Sequence, residues 1–293
     1  MKKHFKRALS LLLAILLCIR MLPVSASAAD LTGSMSMIDI KGRDHALSSS
    51  LPAPFGGYAS EKYTMLRITD SSTGATKTAY CLELGISTYY QEQYQPSADY
   101  PQFSQEQKEL INAVLTLGYN TDTGVKYGGS PEDEYIATQI LVWLIAHKQL
   151  GTQYENQIVS EFTVNSPGAK AVFTKLRKAV MDYRTIPSFA CEDSKYASSH
   201  TYELKYNAQT GKYETTLTDS NGVLSEFSFS QPGVSFARTG NQLKISSEKT
   251  SFSTVSGEKK LPSSIAGVVK GASRYWLNEH YQNVVTFEVG GEP

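Results

Sequence analysis

Residues 135–146 read Tyr-Ile-Ala-Thr-Gln-Ile-Leu-Val-Trp-Leu-Ile-Ala, and only Thr138 and Gln139 in this stretch are polar. Ser130 and Pro131 precede it, a pair that is typical of a helix N-cap and first helical position. A helix that is apolar all round is buried in the core of its protein. We therefore predict a buried central helix against which the rest of the domain packs.

Gln139 is the unusual residue of this helix. At spacings of three and four it shares a face with Ile136 and Trp143, so its amide points into the core. An unpaired buried amide costs about 1–3 kcal/mol. Two interpretations follow. Either the amide hydrogen-bonds to backbone at a strand end, or a cysteine thiol attacks it, expels ammonia and leaves an internal thioester.

The remaining patterns place this helix in an α+β fold. Residues 60–84 have the alternation and the Asp70–Gly74 turn of a hairpin, with Cys81 near the end of its second strand. Ser104 opens a further helix that stops at Gly118, and Ser166-Pro167 opens another. From 187 to 289, short alternating segments separated by turns indicate an antiparallel meander. We expect an antiparallel β-sandwich or barrel-like sheet with an inserted helical subdomain at about 104–184.

The N-terminus predicts export. Residues 1–28 combine basic residues, an apolar run from Ala8 to Ile19 and a small-residue cleavage site at Ala26-Ser27-Ala28. Without them the chain keeps 23 basic and 28 acidic residues, a net charge of −5, which argues against nucleic acid as a partner. We expect a secreted chain whose mature part does not insert into a membrane. Residues 29–290 form the domain, and 290–293 begin a linker.

Two cysteines, Cys81 and Cys191, remain after export. In an exported protein two cysteines favour one disulfide. The histidines are scattered singly, no zinc-ligand spacing exists, and we predict no metal or cofactor. A cysteine hydrolase would need a histidine beside Cys81. No nucleophile signature surrounds that residue, so we do not predict an enzyme.

Three short sequence motifs resemble those of a known family. Tyr80-Cys81-Leu82-Glu83 resembles the aromatic-Cys-aliphatic-polar motif of thioester domains in Gram-positive surface adhesins. Residues 137–143 resemble that family's Thr-Gln-x-Ala-Ile-Trp helix, and residues 115–120 resemble its helix-to-Gly-Tyr turn. Leu141 departs from the usual small Ala, and Ile140 stands where a polar residue is common.

The resemblance implies that Cys81 and Gln139 form an intramolecular thioester between a strand and a helix. It further implies that an amine of a target, typically a lysine, displaces the Cys81 thiolate and leaves a stable isopeptide link to Gln139. Such a protein is a covalent adhesin head that reacts once. Its partner is an amine-bearing host or extracellular protein, or a small amine. The head is monomeric, lies at the bacterial surface, and is followed by stalk domains and a wall anchor if these lie beyond residue 293.

Four residues are predicted to support the site. Tyr80 and Trp143 shield the bond from water or serve as core aromatics. Glu83 orients the Cys81 strand or assists proton transfer, or is an exposed strand-end carboxylate. Thr138 belongs to the same helix motif. We interpret His147 as a solvated helix-end histidine, too far along the helix to act on the bond.

The alternative is a non-covalent secreted β-sandwich module with a Cys81–Cys191 disulfide, binding protein or carbohydrate. Tyr89, Tyr90, Tyr94 and Tyr100 cluster in the loop before the first helix, where exposed aromatics suit recognition. The same cluster could line the route to a thioester, and the sequence does not choose between these roles. Under the thioester hypothesis Cys191 is a lone thiol, protected most simply by burial.

Overall fold

A closed six-stranded barrel and a set of helices form the main body of the protein. The computed structural model describes residues 32–56, 61–191, 199–252 and 255–290. The predicted signal peptide and residues 291–293 of the predicted linker lie outside these ranges. Helices and antiparallel strands are both abundant, and the predicted α+β class is confirmed.

The barrel joins strands from both ends of the chain. Its strands are β1 (Gly33–His45), β2 (Glu61–Asp70), β3 (Thr76–Cys81) and β4 (Gln93–Ser97), together with β11 (Gly271–Leu277) and β12 (Val284–Val289). The order around the barrel is β1-β2-β3-β12-β11-β4, and every pairing is antiparallel. β12 therefore lies directly beside the strand that ends in Cys81.

Four α-helices within the described ranges follow β4: α1 (Gln105–Leu117), α2 (Pro131–Ala146), α3 (Glu155–Phe162) and α4 (Pro167–Arg184). Capping boxes start α1 at Ser104 and α2 at Ser130, as the sequence predicts. Every residue of α2 from Asp133 to Ile145 is buried, because α1, α4 and the barrel surround it. None of the helices in the described part of the chain is long and apolar enough to cross a membrane.

The second group of strands forms a separate small sandwich. β5 (Lys205–Asn207), β6 (Lys212–Thr218), β9 (Gln242–Ser247) and β8 (Val234–Thr239) form one sheet in that order, and β7 (Phe227–Ser230) pairs with β10 (Ser256–Lys259). Leu224, Leu243 and Ile245 are its fully buried centre. The β-rich stretch 187–289 thus divides between this sandwich and the last two barrel strands.

Three elements have no counterpart in the sequence analysis: β1, β4 and α3. β1 runs over thirteen residues, and its pairing with β2 shifts register between Asp39 and Asp44, which interrupts the alternation. α3 is short and has no side-chain cap. β4 lies inside the tyrosine-rich loop. There the expectation of an exposed cluster is wrong for Tyr94 and Tyr100, which are buried in the barrel, while Tyr89 and Tyr90 are exposed.

Gly33 lies where the barrel closes, since it pairs with Asp70 of β2 and Tyr94 of β4. A Cβ atom there would lie 2.6 Å from both Ile68 Cγ2 and Trp276 Cζ3, and both side chains are buried. We expect Gly33→Ala to lower the free energy of unfolding by about 1–3 kcal/mol through overpacking. Urea unfolding measures this loss. The neighbouring Ser34→Ala should be nearly neutral, and equal losses in both variants would contradict the steric explanation.

Candidate functional site

The strand that carries Cys81 loses its neighbour just before the cysteine. β2 and β3 pair from Thr69–Thr76 to Leu66–Ala79, and this pairing stops two residues before Cys81. On its other side β3 continues, with Cys81 opposite Val284 of β12 and the Leu82 N–H donating to the Asn283 carbonyl at 3.0 Å. One edge of the Cys81 backbone is therefore open to a partner other than a strand.

Two side chains of α2 take the place of the missing strand. The Tyr135 hydroxyl donates to the Ala79 carbonyl and accepts from the Leu66 N–H, both at 3.1 Å. The Gln139 amide accepts from the Cys81 N–H at 2.8 Å and donates to the Cys81 carbonyl at 2.9 Å. Residues four apart rise about 6 Å along a helix, and residues two apart span roughly 6.6 Å along a strand. The two repeats match, so Tyr135 and Gln139 meet alternate residues of β3.

The buried amide of Gln139 is thus satisfied by backbone at a strand end, and that strand end is Cys81. Gln139 is 2% exposed and Cys81 is 9% exposed. The sequence allowed either a backbone hydrogen bond or a thioester for Gln139. Both involve Cys81, because the carboxamide is held on the backbone of the residue whose thiol would attack it.

Tyr80 and Thr138 connect this pair to the Gly118-Tyr119 turn. Tyr80 stacks on Tyr135 with ring centroids 5.0 Å apart, and its hydroxyl donates to the Tyr119 carbonyl. Thr138 accepts from the Tyr119 N–H at 3.1 Å. A Cβ on Gly118 would lie 2.7 Å from Thr138 Cγ2, so only glycine lets the turn approach the helix this closely. The three sequence motifs therefore lie next to one another in the structure.

Glu83 is half-buried, so the exposed strand-end interpretation is wrong. Its carboxylate accepts from the Asn283 N–H at 2.9 Å, from the Asn283 amide at 3.1 and 3.2 Å, and from the Tyr100 hydroxyl at 3.1 Å. It ties the segment after Cys81 to the start of β12. This geometry agrees with the predicted orienting role and differs from that of a free acid.

His147 is also not the solvated residue that the sequence suggested. It caps the C-terminus of α2, is half-buried, and its Nε2 accepts from the Leu84 N–H at 3.1 Å. Burial lowers the pKa of His147, partly opposed by the nearby Glu83 carboxylate. The ring is therefore neutral, and its Nε2 lone pair is occupied by the backbone that follows Cys81. His147 holds that backbone in place.

Trp143, one helical turn beyond Gln139, is 8% exposed and stacks on Phe162 with centroids 5.2 Å apart. Its indole nitrogen is buried and has no hydrogen-bond partner among the described residues. At a spacing of four it shares the helix face of Gln139. Its core role is confirmed, and its shielding role stays a prediction.

Tyr94, which the sequence placed in an exposed loop cluster, is a buried neighbour of Cys81. It is 0% exposed, and its hydroxyl has no hydrogen-bond partner among the described residues. Burial raises the pKa of this phenol, and Cys81, Glu92 and Tyr281 raise it further. The phenol therefore remains protonated. The burial of Tyr94 could not be predicted, because the turn-forming residues around it hide the alternation of strand β4.

The two cysteines occupy different environments and form no disulfide in the structure. Cys81 belongs to the core shared by barrel and helices. Cys191 is only half-buried, less protected than expected, and lines a cavity of about 900 Å³ between the small sandwich and the C-terminal end of α4.

The segment that contains Cys81 and Gln139 is similar to a known protein family. Residues 78–181 match the family model of the thioester domain. The predicted resemblance to a thioester domain is confirmed. The matched thioester-domain segment contains Cys81, Gln139 and the Gly118-Tyr119 turn, and it ends within α4.

A solved structure, the thioester domain of the Staphylococcus aureus TIE protein, is similar to this chain with a TM-score of 0.49 and 14% sequence identity. The similarity covers 87% of this chain and 92% of that chain. A search of the curated proteins found no match.

Tyr135→Phe tests whether the Tyr135 hydroxyl supports the end of β3. The substitution keeps the ring but leaves the Ala79 carbonyl and the Leu66 N–H unpaired, so we expect a loss of about 1–3 kcal/mol in unfolding free energy. Tyr63→Phe is the matched control. Tyr63 lies on β2 and is buried like Tyr135, but its hydroxyl donates to the Phe162 carbonyl and does not bridge β2 and β3. Amide hydrogen exchange at Leu66 should accelerate in the first variant alone. Unchanged exchange would show that Tyr135 does not support the strand end.

His147 predicts a pH dependence of stability. Its folded-state pKa lies below the unfolded value, so its contribution is complete above about pH 6.5 and is lost as the pH falls below that value. We expect His147→Gln, which cannot titrate, to reduce the decrease in urea-unfolding free energy between pH 7.5 and 5. His45, whose pKa burial lowers to about 4, should account for part of the remaining decrease. Identical pH profiles of variant and wild type would exclude a titrating His147.

Proposed function

We propose that this protein is an extracellular adhesin head in which Cys81 and Gln139 form an internal thioester that couples once to an amine of its target. One observation carries the proposal. The Gln139 carboxamide is held against the Cys81 backbone by two hydrogen bonds of 2.8 and 2.9 Å in a buried setting. The thioester-domain match over 78–181 supports it.

Bond formation follows from this arrangement. The Cys81 sulfur attacks Cδ of Gln139, a C–S bond forms, and the C–N bond breaks. The amide nitrogen leaves as ammonia and takes the thiol proton with it. Negative charge develops on Oε1, the atom that already accepts from the Cys81 N–H. A fixed donor at that atom stabilises the transition state, and rigid placement of strand against helix supplies proximity.

Coupling to the target reverses the roles of nitrogen and sulfur. The target amine attacks Cδ, a C–N bond forms and the C–S bond breaks, and a proton from the amine ends on the Cys81 sulfur. The same N–H stabilises the oxyanion. Exposures of 2% and 9% at the two residues exclude bulk water, which favours aminolysis over hydrolysis. Gln139 stays linked to the target, so the protein does not turn over and is not an enzyme.

The partner in this proposal is a lysine-bearing host or extracellular protein, or a small amine. The export signal and the net charge of −5 after its removal support a secreted or surface-displayed monomer that contacts neither nucleic acid nor the membrane interior. The chemistry uses only side chains and backbone of this chain, and we propose no cofactor or metal.

Intact-mass measurement of the chain that begins at residue 29 tests the proposal. We expect a mass below the sequence value by one ammonia molecule, converted by methylamine into a covalent adduct on Gln139. Cys81→Ala and Gln139→Ala should show neither the deficit nor the adduct, because each lacks one end of the bond.

The competing outcomes are distinct. A deficit of two hydrogens that reductant reverses would establish a Cys81–Cys191 disulfide and the non-covalent binding module instead. An undiminished mass with two titratable thiols and no methylamine adduct would also overturn the thioester. Hydrolysis of an existing thioester leaves Glu at position 139, which peptide mass mapping distinguishes from unreacted Gln139.

A further inference from the structure

Two adjacent segments form one surface at the end of the barrel where Cys81 lies. We call residues 86–92 and 278–283 the tyrosine–glutamate surface. The rings of Tyr89 and Tyr281 are 4.6 Å apart, and the Gln282 N–H donates to the Ser87 carbonyl at 3.2 Å. Tyr89 is 53% exposed and Tyr90 is 60% exposed. Tyr89 and Tyr90 are therefore presented to solvent, and the half-buried Tyr281 packs beside Tyr89.

This surface is fastened to the backbone around Cys81. The Gln282 amide donates to the Glu83 carbonyl, and Asn283 bonds to both Leu82 and Glu83. Tyr94 of β4 is buried nearby, and its hydroxyl has no hydrogen-bond partner among the described residues. Tyr281 and Glu92 of the surface, and Cys81 on the inner side, all act electrostatically on that phenol. The buried Tyr94 ring is thus a neighbour of both the surface and Cys81.

The surface carries charge of one sign. Residues 86–92 and 278–283 contain the half-buried Glu92 and the exposed Glu279 but neither lysine nor arginine, and His280 is exposed beside Glu279. Glu83 is engaged with Asn283 and Tyr100. A cation that approaches these two segments therefore meets carboxylates and neither lysine nor arginine within them.

Aromatic faces combined with carboxylates recognise alkylammonium groups. A lysine ammonium is attracted to a tyrosine face and to a neighbouring carboxylate, and its methylene stem packs on the same rings. We propose that the tyrosine–glutamate surface docks the protonated lysine side chain of the partner protein before it reacts at Gln139. This inference rests on the proposed function and extends it from amines in general to a cationic, lysine-bearing segment.

Docking on this surface also favours the reactive form of the amine. A lysine ammonium has a pKa near 10.4 in water, and only its neutral form attacks a carbonyl carbon. Moving from the acidic surface toward the apolar interior beside Tyr94 disfavours the charged form, so the proton is released to solvent before attack. The surface thus selects the cation, and the interior converts it into the nucleophile.

The test compares two nucleophiles on the chain that begins at residue 29. One is a peptide with an acetylated N-terminus and a single lysine, and the other is hydroxylamine, which is uncharged at pH 8. We expect the pair Tyr89→Ala/Tyr90→Ala and the pair Glu92→Gln/Glu279→Gln each to slow peptide coupling about fivefold or more. Hydroxylamine should react at the wild-type rate in both, which also shows that the folded thioester is intact. Added salt should slow only the peptide reaction.

Matched controls lie on the small sandwich. Tyr206 is 60% exposed, like Tyr90, and Glu203 is exposed. Tyr206→Ala and Glu203→Gln should leave both rates unchanged. If the wild type reacts with hydroxylamine but both paired variants couple the peptide at the wild-type rate, this docking proposal alone is overturned. If the wild type reacts with neither nucleophile, the thioester function fails and the docking proposal fails with it.

Discussion

The hydrogen-bonded pair between the Gln139 carboxamide and the Cys81 backbone is the contact around which the molecule is organised. It places a polar group of an otherwise apolar helix in the core without an unmet hydrogen bond. It does so only because β2 leaves β3 two residues before Cys81. The same separation leaves the Cys81 N–H to donate to the amide oxygen. The buried amide and the strand end therefore satisfy each other at one gap in a sheet.

The gap depends on elements that are distant in the chain. β12 supports Cys81 from the other side, and Glu83 fastens the residues after Cys81 to Asn283. His147 holds Leu84 from the end of the same helix that carries Gln139. Thr138 and Tyr80 anchor the Tyr119 turn on the near side. Each support is a hydrogen bond to backbone. The Cys81 segment is thus fixed along its length, with the Gln139 amide on its backbone in a buried setting.

Local patterns were sufficient for much of this fold. Capping boxes and proline at the first helical position identified α1 and α2, and the position of Cys81 at the end of a hairpin strand followed from alternation and turn residues. The orientation of Gln139 followed from helical spacing alone. By contrast, β4 and Tyr94 were misinterpreted as exposed loop, since a five-residue strand among turn residues gives too little alternation to be recognised. The half-buried positions of Glu83 and His147 were not expected, because their partners, Asn283 and the Leu84 backbone, are set by long-range packing.

By itself, the sequence determined the buried helix, its inward-facing glutamine, the strand-end cysteine and the three motifs of the thioester-domain segment. Each of these is a property of residues that are neighbours in the chain. Only the tertiary structure decided that Tyr135 and Gln139 replace a strand, that β11 and β12 close the barrel, and that Tyr94 is buried. The barrel pairs residues as distant in sequence as Ala79 and Thr286. Such pairings arise from barrel closure, which no local pattern encodes.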